Sequence, residues 1–188
     1  HYDDERSAIE YAFWDGAAWQ RLTVDESTYG SFRISSLALD GAGRPHVAYG
    51  YSDMIWDGIR YAYHDGSAWQ IQELDVSDVG DARESASLAL DGGGSPHIFY
   101  HTPQEYRYAR WDGSAWQIQA VDAVPGNTFD RTALVLDGNL SEGQARPHAA
   151  YVGAGQMRYA WYDGAAWQVQ VVDTAGAGAP SLALDGDG

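Results

Sequence analysis

The sequence predicts an all-β fold, a β-propeller of four-stranded antiparallel blades with four repeats in one chain. The segment Asp-Gly-(Ala/Ser)-Ala-Trp-Gln occurs four times, and its tryptophans are separated by 50, 47 and 51 residues: Trp19, Trp69, Trp116 and Trp167. A second segment, Leu-(Ala/Val)-Leu-Asp-Gly, also occurs four times and ends at Gly41, Gly92, Gly138 and Gly186. A period of about 50 residues is that of a propeller blade rather than of a helical repeat.

Each repeat divides into four short runs rich in β-branched and aromatic residues, which Gly and Asp turns separate. None of the runs shows the period of a helix. In the second repeat the predicted strands are A (36–40), B (46–51), C (60–64) and D (69–74). Strand A carries small side chains, which suit the crowded position next to a propeller axis. The aromatic residues of strands C and D are expected to fill the space between blades.

We expect a single domain over residues 1–188, because the composition does not change along the chain. Its repeats cover approximately 1–35 with 181–188, 36–85, 86–131 and 132–180. His1 aligns with His46, His97 and His148, so the strand at 181–185 is expected to complete the blade that the first residues begin. It could do so within one chain, as a closed four-bladed ring, or between two chains, as an eight-bladed homodimer. A fragment of a longer array is the third interpretation.

Charge and composition exclude several classes of partner and site. The chain has 27 acidic and 11 basic residues and a net charge of -16, which disfavours nucleic acid and anionic membrane surfaces. It contains no cysteine, and no apolar run approaches the roughly 20 residues of a membrane span. No metal or cofactor is expected. The Asp-Gly turns lack the alternating oxygen ligands of calcium loops, and the repeated histidines lie in separate blades, where each is expected to bond its own blade's turn.

Two stretches carry a family resemblance: (Arg/Ser)-Pro-His-(Val/Ile)-(Ala/Phe)-Tyr, and Arg-Tyr-Ala-(Tyr/Arg)-x-Asp-Gly-Ser-Ala-Trp-Gln. Over nearly its whole length the chain resembles repeat propellers of secreted bacterial proteins, both the sialidase-like type with Asp-boxes and the fucose-lectin type. The turn from Asp65 to Trp69 is one residue shorter than an Asp-box, so the match is to architecture rather than to the motif. The resemblance implies the propeller fold and an extracellular location.

The loops that differ between repeats are the predicted binding face, because a rigid scaffold concentrates recognition in variable loops. These loops join strands B to C and D to A. Three of the D–A loops carry an arginine before strand A, and the three guanidinium groups could clamp a carboxylate or phosphate or form local ion pairs. Trp56 could stack on a sugar ring or fold back onto its blade. The candidate ligand-binding residues are Arg33, Arg83, Arg131, Trp56, Asp53, His101 and Glu105.

The expected function is non-catalytic binding of a carbohydrate or glycoconjugate, by the variable face or by pockets between blades. A protein-binding or assembly module is the alternative. A sialidase-like glycosidase is disfavoured, since no constellation of nucleophile, base and acid stands apart from the repeats. Four repeats also cannot complete the six-bladed layout of catalytic sialidases. No catalytic residue is therefore assigned.

Overall fold

A computed structural model describes residues 7–53, 56–78, 85–124, 131–137, 145–175 and 178–185. Every regular element in these ranges is a β-strand, which confirms the predicted all-β class. We name the sheets blades 1 to 4. Blade 1 contains β1 (Ser7–Trp14) and β2 (Trp19–Ser27). Blade 2 contains β3 (Ser31–Leu39), β4 (Pro45–Ser52), β5 (Trp56–His64) and β6 (Trp69–Asp78). Blade 3 contains β7 (Ala86–Leu90), β8 (Pro96–His101), β9 (Tyr106–Trp111) and β10 (Trp116–Asp122). Blade 4 contains β11 (Thr132–Leu136), β12 (Pro147–Gly153), β13 (Gln156–Tyr162) and β14 (Trp167–Asp173).

Blades 2, 3 and 4 are antiparallel sheets in which each strand pairs with the next one along the chain. This order is the propeller blade that the repeats predict. The second strand of blades 2, 3 and 4 is buried along most of its length, because its side chains pack against an adjacent blade. The apolar core accordingly lies between blades rather than inside one. One cluster joins blades 2 and 3 around Ile59 and Tyr100, and another joins blades 3 and 4 around Phe99 and Tyr151.

In both kinds of tight turn an aspartate carboxylate accepts hydrogen bonds from backbone N–H groups of the same turn. In each C–D turn the Asp Oδ1 accepts two backbone N–H groups, and Oδ2 accepts the side-chain amide of a glutamine at 2.6–2.8 Å. These aspartates are Asp15, Asp65, Asp112 and Asp163. In the A–B turns Asp40 and Asp91 accept backbone N–H groups in the same manner. The interpretation of these Asp-Gly segments as structural turns is confirmed at the described turns.

The observed strands extend beyond the predicted ones towards the B–C and D–A loops, and this corrects the placement of Trp56. We predicted Trp56 in a loop, but it is the first residue of β5, where it pairs with Asp78. The ladder continues because Gly58 brings its backbone close to β6: a Cβ there would lie 2.5 Å from the carbonyl oxygen of Asp75. The extension was not predicted because the strand ends carry polar residues and so lack the alternation of apolar and polar residues that indicates a strand.

Residues 181–185, predicted as an inner strand, lie outside the assigned strands. The opening residues 1–6, with which they are predicted to form a blade, are outside the described residues. Completion of blade 1 therefore stays a prediction.

Candidate functional site

The three arginines of the predicted clamp were expected just before strand A. Arg33 lies inside β3 rather than before it, and its side chain is exposed. Arg131 is exposed and directly precedes β11, as expected. Arg83 lies outside the described residues. A clamp formed by all three stays a prediction.

The other candidates on the loop edge occupy different environments. Asp53 follows β4 and is half-buried. His101 is the last residue of β8 rather than a loop residue, is 1% exposed, and lies against the ring of Tyr106 at 5.8 Å. Glu105 accepts a hydrogen bond from Arg107 Nε at 2.7 Å. For Trp56 the structure describes only the backbone. A binding role for these four residues stays a prediction.

A buried ion cluster joins consecutive blades near the loop edge. In each case an aspartate near the end of strand D accepts hydrogen bonds from a tyrosine and an arginine of the next blade, at 2.7–2.9 Å and 2.9–3.0 Å. The sets are Asp25 with Tyr49 and Arg60, Asp75 with Tyr100 and Arg107, and Asp122 with Tyr151 and Arg158. The carboxylates are only 11–14% exposed. Burial, followed by the neighbouring aspartate, raises the pKa of Tyr100 far above its usual value, so this phenol stays a donor.

A second repeated contact holds the outer strands of consecutive blades together. Trp116 meets the ring of Tyr61 edge-on at 5.3 Å, and its Nε1 donates to Gln72 Oε1 at 3.0 Å. The next junction repeats this arrangement with Trp167, Tyr108 and Gln119, at 5.1 Å and 3.1 Å. Each glutamine is the cross-strand partner of the tyrosine in its own blade. The recurring tryptophan is therefore a junction residue.

A histidine links the A–B turn to strand C inside blades 2 and 3, and in blade 4 His148 Nδ1 lies 2.5 Å from the hydroxyl of Tyr159 on strand C. His46 Nε2 lies 3.7 Å from Asp40 Oδ2, while its Nδ1 lies 2.5 Å from the hydroxyl of Tyr61. His97 repeats the contact with Asp91 at 3.6 Å. His46 and His97 therefore contact the aspartate of their own blade's turn, as predicted, although at distances longer than a hydrogen bond. His1 lies outside the described residues. Burial lowers the pKa of both rings, against the opposing effect of the aspartates.

Two pockets open at equivalent places between blades. The blade 2–3 pocket has a volume of about 340 Å³, and the blade 3–4 pocket about 260 Å³. In each, the preceding blade contributes the histidine, the strand C tyrosine and the junction glutamine, and the following blade contributes a proline, a glycine and an aromatic residue. These are His46, Tyr61, Gln72, Pro96, Gly113 and Trp111 in the first pocket, and His97, Tyr108, Gln119, Pro147, Gly164 and Tyr162 in the second.

Both pockets lie at the edge formed by the A–B and C–D turns, opposite to the predicted loop face. Gly93 and Gly94 of an A–B turn and Gly113 of a C–D turn line the blade 2–3 pocket. Pockets between blades were one of the expected binding locations, but they were not expected at this edge, because the nearly identical turns lack the variation of a recognition surface. The available signal was the large aromatic residue just before the C–D aspartate of three repeats, which is Trp111 in one pocket and Tyr162 in the other.

The pockets differ in charge at one matched position. Arg110 lines the blade 3–4 pocket, whereas Tyr63 occupies the same strand C position in the blade 2–3 pocket. The blade 2–3 pocket does contain Arg44, but that guanidinium is held by Asp40 at 2.7 Å. Burial raises the pKa of Tyr108, so the phenol beside Arg110 is neutral and can donate or accept a hydrogen bond. The blade 3–4 pocket therefore combines neutral hydrogen-bonding groups with a cation.

Two other kinds of feature are absent from the described residues. Within the described ranges, no group of three or more histidine and carboxylate side chains is arranged to hold a metal ion. The described part of the chain also contains no helix with the length and apolar character that crossing a membrane requires.

No protein-family model and no curated protein matches this chain. Solved structures do match. A fucose-specific lectin from Aleuria aurantia is 14% identical with a TM-score of 0.55, over 90% of this chain and 54% of the lectin. A leech intramolecular trans-sialidase complexed with 2,7-anhydro-Neu5Ac is 15% identical with a TM-score of 0.54, over 89% of this chain and 29% of the enzyme. A fucose lectin from Kordia zhangzhouensis is 18% identical with a TM-score of 0.48, over 74% of this chain and 99% of the lectin.

The similarities to the Aleuria lectin and the trans-sialidase confirm the resemblance to fucose-lectin and sialidase propellers at the level of fold. The chain spans about half of the Aleuria lectin and less than a third of the trans-sialidase. One fold hosts many functions, so the function must be argued from the pockets of this chain.

Proposed function

We propose that this chain is a non-catalytic carbohydrate-binding propeller whose ligands bind in the pockets between blades. The observation that supports this most directly is the repetition of one pocket at two successive junctions, with the same histidine, tyrosine and glutamine on one side. A repeat that reproduces the same concave site provides several equivalent subsites, and such sites raise avidity for ligands with repeated groups.

The chemistry of the pocket walls suits a sugar. Trp111 and Tyr162 are half-buried and present aromatic surface to their pockets, and such a surface packs against the C–H face of a pyranose. Gln72 and Gln119 bring amide groups to the same cavities, where hydroxyls need directed donors and acceptors. Because Arg110 adds a cation to the blade 3–4 pocket, we expect that pocket to accept acidic sugars better than its neighbour does.

Binding is favoured over catalysis because the pocket phenols are held protonated. Burial raises the pKa of Tyr61 and Tyr108 well above the usual value, whereas a nucleophilic tyrosine requires a lowered pKa or an adjacent base. The neighbouring histidines are such candidate bases, yet their ring pKa values are lowered by burial. Two of the structurally similar proteins are named as fucose lectins, and this agrees with a binding role, which would suit an extracellular protein.

The loop edge is the competing location for the ligand. Arg33, Arg131 and Glu105 remain proposed contacts there, together with the other candidates of that face. A carbohydrate bound at the loops would leave the pockets of the turn edge empty, so variants at the two edges distinguish the two locations.

The test is a glycan array with the labelled chain, followed by titration calorimetry with the best ligand. We expect the double variant Trp111→Ala/Tyr162→Ala to weaken binding by roughly tenfold or more, since truncating buried aromatic contacts has effects of that size. Tyr29→Ala is the matched control, because Tyr29 is an aromatic residue 78% exposed outside both pockets, and its binding should equal that of the parent chain. Near-parental melting temperatures would show that the variants are folded.

Three outcomes count against the proposal. The first is an array on which no glycan binds. The second is unchanged affinity in the double pocket variant. The third is a loss of binding in Arg33→Ala while the pocket variant binds normally, which would locate the ligand at the loop edge.

A further inference from the structure

We infer that a second copy of this chain docks head to tail, with the outer strand of its blade 1 packed against blade 4 of the first copy. The head face is the surface of β1 and β2 around Trp19. The tail face is the surface of β13 and β14 around Tyr159 and Gln170. The inference concerns assembly and does not depend on carbohydrate binding.

The junctions between blades 2 and 3 and between blades 3 and 4 show what a complete blade contact contains. The first tryptophan of strand D packs edge-on against the strand C tyrosine of the preceding blade, and its Nε1 donates to the glutamine three residues into the preceding strand D. Trp116 does this on Tyr61 and Gln72. The next junction repeats it with different residues at nearly the same distances.

The tail face presents the receiving half of this contact. Gln170 is the cross-strand partner of Tyr159, as Gln72 is of Tyr61 in blade 2. Gln170 is exposed, and Val172 beside it on β14 is 63% exposed. The receiving tyrosine and glutamine are therefore both present on blade 4.

The head face presents the inserting half. Trp19 begins β2 just as Trp116 begins β10, but it is 69% exposed, and its cross-strand partner Trp14 is 55% exposed. Indoles in the equivalent positions of the later blades are half-buried. Two neighbouring tryptophans this exposed on one sheet face form an apolar patch of the kind that indicates an interaction surface.

The occupant of each face is a second copy rather than the chain's own other end. Within one chain both Trp19 and Val172 remain largely exposed, so the two faces do not cover each other. Each copy has one head and one tail, and two copies joined at two identical junctions therefore form a closed eight-bladed ring. Such closure leaves neither face open to further copies.

One difference in sequence makes the junction between two copies weaker than the junctions inside the chain. At each internal junction an arginine of strand C binds the aspartate of the preceding blade, as Arg107 binds Asp75. Blade 1 has Glu10 in that position, and the aspartate on the tail face is Asp173. Two carboxylates facing each other disfavour association, so the dimer is expected to dissociate more readily than a blade separates inside the chain.

The first test is the molar mass of the full chain by sedimentation equilibrium, with twice the chain mass of 20.5 kDa expected. Trp19→Ala and Gln170→Ala should each raise the dissociation constant by roughly tenfold or more. Glu10→Arg should lower it by roughly fivefold or more, because it provides the missing partner for Asp173. Tyr29→Ala, at an exposed residue of neither face, should leave the dissociation constant unchanged.

The second test establishes the head-to-tail geometry by mixing two variants. A Trp19→Ala copy keeps an intact tail, and a Gln170→Ala copy keeps an intact head, so an equimolar mixture restores one complete junction. The mixture should associate more tightly than either variant alone. A monomeric parent chain would overturn the inference, and so would a dimer that neither variant weakens or a mixture that shows no recovery.

Discussion

The indole of Trp69 lacks the acceptor that its counterparts have, and supplying one should stabilise the protein. Trp69 Nε1 is buried and, among the described residues, makes no hydrogen bond, although the ring packs against Tyr11 at 5.9 Å as in the other junctions. Leu22 pairs with Tyr11 across the strands, in the position that Gln72 and Gln119 occupy in blades 2 and 3. We therefore predict that Leu22→Gln adds the missing bond.

The size of the effect follows from two opposing contributions. An unsatisfied buried donor costs about 1–3 kcal/mol, and a net hydrogen bond contributes about 1 kcal/mol. The change removes part of a leucine side chain, but that residue is 39% exposed, so the loss is well below the roughly 1.5–3 kcal/mol of a fully buried side chain. We expect a net gain of about 1 kcal/mol, which for a chain of this size raises the melting temperature by about 2–4 °C.

Calorimetry and urea unfolding of the parent chain and two variants provide the test. Gln72→Leu is the reciprocal control, because it reproduces the arrangement at Leu22 in the next junction and should destabilise by about 1–2 kcal/mol. If Leu22→Gln is neutral or destabilising while Gln72→Leu is also neutral, the indole bond does not contribute to stability and the reasoning fails.

The remaining predictions concern the ion clusters and the buried histidines. Arg107→Met should lower the free energy of unfolding in urea by about 2 kcal/mol, because it leaves a largely buried Asp75 without its cation. Arg21→Met is the control, since the side chains of Arg21 and its partner Glu10 are 74% and 47% exposed, and it should change stability by less than about 0.5 kcal/mol. Equal effects of the two variants would contradict the role of burial. Burial lowers the pKa of His97 in the folded state, so the unfolded chain binds more protons than the folded chain below about pH 6.5. The melting temperature should therefore be constant above that pH and decrease below it. The decrease should be smaller in His97→Asn. A melting temperature that rises on acidification would refute this sign.

The repeats made the fold predictable because the recurring residues of their turns have local structural tasks. Asp65 closes its turn through bonds to residues two to five positions away, so its role can be read from a short segment. The pockets could not be predicted in the same way, because Trp111 and His46 come from different blades and meet only at the junction. Strand ends were underestimated where polar residues such as Asp57 continue the ladder.

The proposed location of the ligand at the turn edge, rather than at the loop edge, has a physical basis. Variation in the loops suggested recognition there, but variation also follows when backbone geometry imposes few constraints. The turns are nearly invariant because Asp40 must hold the chain reversal, and the pKa of its carboxyl falls to about 2, chiefly through its backbone hydrogen bonds. The side chains that line the pockets project from strands beside these turns, so recognition can change there without altering the turns.

The self-contained C–D turn also bears on how the molecule folds. Its bonds span no more than five residues, so each hairpin can form on the microsecond scale of an isolated β-hairpin. Contacts such as that of Trp116 with Gln72 close a separation of 44 residues and must come later, after the entropy of a long loop has been overcome. A substitution at one junction is therefore expected to slow the docking of its two blades and to leave the hairpins intact.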